Sequence, residues 1–131
     1  MSEEQTPYLT LAMSPYGSLL GIELVEYSPG HALCRIKLVP HHYNTGGRVH
    51  GGVLSSLADT AAGVAVRTIR PEGRLSATTD LNIAFIRPPQ GDTLEAIAEV
   101  IHAGKRLYRV EISIHCEGKL IARSSATFML V

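Results

Sequence analysis

Asp59 lies in the run VLSSLADTAAGVAV, where almost every neighbour is apolar or small. Aspartate is a poor helix former and costly to bury unpaired, so it needs a partner or a task. Gly51 and Gly52 follow His50 at the point where the apolar pattern begins, and Asp59 comes eight residues after Gly51. Backbone N–H groups at a helix start lack intrahelical acceptors, and the helix dipole there favours negative charge. A carbonyl oxygen becoming an oxyanion would be stabilised at such an end, and glycine lets it approach with no Cβ in the way. A carboxylate beside it could act as general base or nucleophile. The structural alternative for Asp59 is a hydrogen bond to Ser55 or Ser56, one turn back on the same stripe.

Three histidines, His41, His42 and His50, raise the possibility of a metal centre, since imidazole is a common ligand. No carboxylate or cysteine completes a convincing spacing around them, so they read as loop histidines and no metal is expected. Cys34 and Cys116 lie far apart in the sequence with no Cys-x-x-Cys spacing, which suits two buried thiols in a reducing compartment.

The elements that must carry these residues follow from periodicity and breakers. Apolar positions from Thr6 to Leu20 (Leu9, Met13, Tyr16, Leu20) suggest a short or broken N-terminal helix, interrupted near Pro15. IELVEY and ALCRIKLV, divided by SPG, form a hairpin pattern. PHHYNTGGRVHGG is an ordered loop. From Gly52 to about Ile69 apolar residues cover nearly every helical face, the mark of a helix surrounded by protein. Four strands follow, SATTDLNIAFI, DTLEAIAEVIHA, RLYRVEISIHC and KLIARSSATFML, separated by turn formers. The third alternates cleanly, with Tyr108, Val110, Ile112, Ile114 and Cys116 on one face. This order predicts an α+β domain spanning 1–131, an antiparallel sheet wrapped around one long central helix.

Bulk properties narrow the partners. A chain of 131 residues with 45% hydrophobic content supports one core. Twelve basic against twelve acidic residues give a formal charge of zero, which removes the attraction that nucleic-acid and anionic-membrane binders use. The start MSEEQ lacks the basic-then-apolar layout of a secretory signal, and no apolar run is long enough to span a bilayer. A cytoplasmic protein with no membrane or nucleic-acid partner is expected.

Asn44, His50-Gly51-Gly52 and Asp59, followed by TTDLNIAFIRPPQGD and GKRLYRVEISIHCEGKLIARSSATF, resemble the hotdog-fold acyl-CoA thioesterases of the phenylacetate-degradation (PaaI-like) type. The resemblance runs from about Gly21 to the end and is most specific in the spacing Asn-x5-His-Gly-Gly-x6-Asp. It implies that the Gly51 N–H polarises a thioester carbonyl and that Asp59 activates water or attacks directly. Asn44 would help place water or carbonyl, His50 would stand at the helix entrance, and Gly52 would support the turn. A Ser or Thr on the next strand would assist. The family pattern points to Thr78, whereas alternation with Leu81, Ile83 and Phe85 would turn Thr79 toward the helix. CoA would be substrate, with no separate cofactor.

Eight residues at about 1.5 Å rise each separate Gly51 from Asp59 by roughly 12 Å along the helix, too far for one carbonyl to meet both in the same chain. A two-fold dimer with antiparallel central helices would join the Gly51 of one chain to the Asp59 of the other. The resemblance implies the same shared site, and pairs of dimers would give a tetramer. Arg87 and the turn residues Lys105 and Arg106 are candidates for the CoA phosphates. Two alternatives remain at this point: a non-catalytic acyl-CoA-binding module, and an enoyl-thioester hydratase or dehydratase using His50 with Asp59.

Overall fold

The computed structural model describes residues 11–131. Leu9, and with it the early part of the expected N-terminal helix, lies outside the described residues. Helix α1 spans Pro15–Leu20 only. Pro15 begins this helix instead of interrupting it, because the first helical position needs no N–H donor. The Ser14 hydroxyl accepts from the Gly17 N–H at 3.0 Å, and Gly21, left-handed at φ 78°, closes the other end.

Strands β1 (Ile22–Ser28) and β2 (His31–Lys37) form the expected hairpin, turning at Gly30 with φ +74°. A loop with a 3-10 turn at Pro40–His42 leads to helix α2, Gly51–Arg67. Strands β3 (Ser76–Phe85), β4 (Thr93–Ala103), β5 (Leu107–Cys116) and β6 (Lys119–Leu130) complete an antiparallel sheet of order β1-β2-β4-β5-β6-β3. This is the hotdog architecture. Strand β3, next in sequence after the helix, lies at an outer edge beside the last strand.

Helix α2 packs on the concave face. Val53, Leu54, Leu57, Ala58, Ala61, Val64 and Ala65 are buried against inward residues such as Ile36, Leu94, Ala96, Val110, Ile112 and Ala126. The alanines on both sides allow close approach, and Leu57→Ala would cost roughly 2–5 kcal/mol by the usual cavity cost. Contrary to the reading of a helix covered on all sides, one stripe remains partly uncovered within the chain: Gly52, Ser56, Asp59, Gly63 and Arg67. The sheet curls around only part of the helix, and the uncovered stripe carries the small and polar residues. Asp59 is therefore half-buried. Among the described residues, no helix is long and apolar enough to cross a membrane.

Strand β5 alternates as its sequence predicts, buried at Tyr108, Val110, Ile112, Ile114 and Cys116. Strand β3 does not alternate regularly. Thr78 pairs with Phe128 and Asp80 with Thr127, so Thr79 is an extra residue in β3, a bulge.

Candidate active site

The loop before α2 is held by polar contacts that only the fold could assemble. His42 is buried; its Nδ1 accepts from the Val39 N–H at 3.0 Å and its Nε2 donates to the Leu20 carbonyl at 2.7 Å. The His42 carbonyl accepts from the His50 N–H at 2.8 Å, linking α1, the loop and the start of α2. His42 is a structural residue missed by the sequence reading, because its partners come from elsewhere in the chain.

Asn44 organises the next turn. Its N–H donates to the Arg48 carbonyl at 2.7 Å, while its side-chain Oδ1 accepts from the N–H groups of Gly46 (2.8 Å) and Arg48 (3.1 Å). With the oxygen so engaged, the carboxamide offers its Nδ2 hydrogens as donors. Gly47, at φ +80°, takes the left-handed conformation that completes the turn.

His50 is the N-cap of α2. Its Nδ1 accepts from the Gly52 N–H at 2.9 Å, and its carbonyl accepts from the Val53 N–H at 2.9 Å. Among the described residues this leaves Gly51 as the N–H of the first three with no acceptor. A Cβ added at Gly51 would lie 3.3 Å from the Phe85 ring, so a side chain here would crowd the approach to that donor. Gly51, Asn44, Leu54, Phe85 and Arg87 line a hollow of about 340 Å³.

Asp59 faces elsewhere. Neither serine caps it: Ser55 Oγ donates to the carbonyls of Gly51 and Gly52 at 3.2 Å each, and Ser56 Oγ pairs with the Tyr16 hydroxyl at 2.9 Å. The partner of Asp59 is Thr78, whose Oγ1 donates to Asp59 Oδ1 at 2.8 Å. Thr79, which simple alternation would have turned to the helix, donates instead to the Thr127 carbonyl at 3.1 Å. The bulge shifts the parity of the strand, so that Thr78 lies on the same face as Leu81. Asp59 lines a second hollow, of about 210 Å³, with Tyr16, Ser55, Ser56, Thr60 and Leu81. Within one chain, Asn44 and Gly51 therefore share a hollow and Asp59 does not.

The three cationic candidates are also divided. Arg87 follows the end of β3 beside the Gly51 hollow. Lys105 and Arg106 lie in the β4–β5 turn, where the Arg106 carbonyl accepts from Leu130 N–H, at the end of the sheet where β3 begins. Tyr16 had read as one more apolar position of the N-terminal helix; it is in fact exposed and reaches across to α2.

Residues 46–122 match the family model described as the thioesterase superfamily. The chain is 31% identical to human acyl-coenzyme A thioesterase 13 over 109 residues, covering 81% of this chain and 77% of that protein. It is 30% identical to the medium/long-chain acyl-CoA thioesterase YigI of Escherichia coli over 132 residues, covering 88% and 85%. Among solved structures, the conserved protein PA5202 of Pseudomonas aeruginosa superposes with a TM-score of 0.87 at 32% identity over the whole of both chains. The Escherichia coli PaaI protein superposes with a TM-score of 0.85 at 28% identity, covering 98% of this chain and 92% of that one. With its fold and matched residues taken together, the chain belongs to the thioesterase superfamily and is a hotdog-fold thioester hydrolase.

Proposed function

We propose that this protein hydrolyses acyl-CoA thioesters to a free acid and CoA, in sites that two copies share. The observation that carries this reading is the division of the catalytic groups: Asn44 and Gly51 line one hollow and Asp59 another. A two-fold dimer that pairs the β3 edges and apposes the uncovered stripes of α2 would bring the Gly51 hollow of one chain to the Asp59 hollow of the other. Exposed Phe85 and Ile86 at the end of β3 support burial at such an interface. A dimer of dimers is the expected full assembly.

In this site the Gly51 N–H and an Asn44 Nδ2 hydrogen donate to the thioester carbonyl oxygen, where negative charge develops. The partner subunit's Asp59, oriented by its own Thr78, takes a proton from the attacking water or itself attacks the carbonyl carbon. In the water route, oxygen adds to carbon, the C–S bond breaks, and the proton passes to the departing thiolate. A thiol is acidic enough to leave without a dedicated acid. His50 positions the donor: its Nδ1 holds the cap, which argues against a hydratase in which that ring shuttles protons.

Arg87 stands beside the Gly51 hollow and meets CoA phosphates in this reading. Antiparallel pairing of two β3 edges would bring Lys105 and Arg106 of the partner subunit to the same end. A cytoplasmic, reducing setting suits the unpaired Cys34 and Cys116.

The test is thiol release from short, medium, long and aromatic acyl-CoAs by wild type and by Asp59→Asn. The variant is expected to remain a folded oligomer, with kcat lowered about 10²–10⁴-fold and KM little changed. Near wild-type turnover by that variant would overturn the assignment of Asp59, and acyl-CoA binding without product release would favour a binding module.

A further inference from the structure

We infer that Tyr16 closes the acyl pocket and sets the length of acyl group this enzyme accepts; the inference rests on the thioesterase reading above. Tyr16 lines the same hollow as Asp59, together with Ser55, Ser56, Thr60 and Leu81. A group attached to a carbon that Asp59 attacks, or to which Asp59 delivers water, lies against these residues. Ser56 precedes Asp59 by three residues, about 4.5 Å along the helix axis. The Tyr16 hydroxyl bonds to Ser56 Oγ at 2.9 Å, which lays the phenol across the uncovered stripe one turn before the carboxylate. A growing chain meets the ring there.

The ring is a fixed wall. Its helix, α1, is capped at its start by Ser14 and at its end by Gly21. The Leu20 carbonyl is held by buried His42, whose own carbonyl holds the N–H of His50. The hydrogen-bonded path from Leu20 to His50 ties the helix that carries the wall to the residue that caps α2 beside the Gly51 N–H. Tyr16 is also 57% exposed, so it can be exchanged without opening the core.

The experiment measures kcat/KM across straight-chain acyl-CoAs from C2 to C16, with phenylacetyl-CoA as the ring substrate, for wild type, Tyr16→Ala and Tyr16→Trp. Tyr16→Ala is expected to move the optimum to longer chains, with a gain of roughly fourfold for each methylene newly buried. Tyr16→Trp is expected to move it to shorter ones. Tyr16→Phe keeps the wall but lacks the bond to Ser56, and should hold the wild-type cut-off with a less sharp edge. Unchanged chain-length profiles in both Tyr16→Ala and Tyr16→Trp, in a wild type that hydrolyses thioesters, would overturn the role of Tyr16. A wild type that releases thiol from no substrate would instead overturn the thioesterase reading beneath it.

Discussion

Thr78 on the edge strand donates a hydrogen bond to Asp59 on the central helix over 2.8 Å, and this is the contact that aims the carboxylate. Aspartate rotates freely about χ2 unless something fixes it. Here one oxygen is held from the sheet side, in a residue that also lines the hollow with Tyr16 and Leu81.

Removing that hydroxyl while keeping its shape should cost rate and spare the fold. Thr78→Val is expected to lower kcat about tenfold, from loss of orientation, and Thr78→Ser to retain most activity. Thr79→Val, one residue away but bonded to the Thr127 carbonyl, should leave steady-state kinetics near wild type. Equal loss at both positions would show that the effect comes from disturbing the strand.

Shared sites predict complementation. Asp59→Asn and Gly51→Val chains should each be nearly inactive as homodimers. In a mixed dimer one site keeps both intact groups and the other loses both. Random mixing therefore restores about a quarter of wild-type activity, since half the dimers are mixed and each has one of two sites. Verified mixed dimers with no recovered activity would refute the two-chain geometry.

His50 can be tested as a cap. His50→Ala removes the acceptor for the Gly52 N–H and should lower stability by about 0.5–2 kcal/mol, read from urea unfolding. His50→Asn supplies another good capping oxygen and should recover most of that loss. If activity follows stability through this pair, the ring acts by positioning the helix start; activity lost in both despite recovered stability would assign it a chemical role.

Burial pushes the Cys34 thiol up to about 11, opposed in part by nearby Arg67. The folded state holds this proton more tightly than the unfolded chain, whose thiol ionises near pH 8.5–9. The contribution to stability is complete below that range and is lost as pH rises toward 11, by roughly 3 kcal/mol in all. Wild type should thus lose more stability between pH 8 and pH 11 than Cys34→Ala, measured by denaturant titration at each pH. Parallel losses in the two proteins would remove Cys34 as the cause.

Much of the architecture was legible because it rests on local pattern. The alternation of β5, the hairpin around SPG and the apolar density of α2 each state their own conformation. The spacing from Asn44 to Asp59 also picked out residues that, as helix rise alone requires, lie in two separate hollows of one chain. What the sequence did not disclose depends on contacts across the fold. Which stripe of α2 the sheet leaves uncovered depends on how far the sheet curls. The choice between Thr78 and Thr79 turns on a bulge that no composition marks. His42 and Tyr16 acquire their roles from Leu20 and Ser56, which lie far from them in the chain.

The bulge at Thr79 makes strand parity an editable address. If the strand ran without the bulge and kept every residue, Thr79 would share the face of Leu81 and Thr78 would turn away from the helix, whereas deleting Thr79 would leave Thr78 two places from Leu81 and still facing it. Which hydroxyl attends the carboxylate is thus set by whether the strand bulges at this point, and not by the residue types on either side of it. Alignments that slide by one position across this strand would then assign the attendant residue incorrectly, even where every core residue is matched.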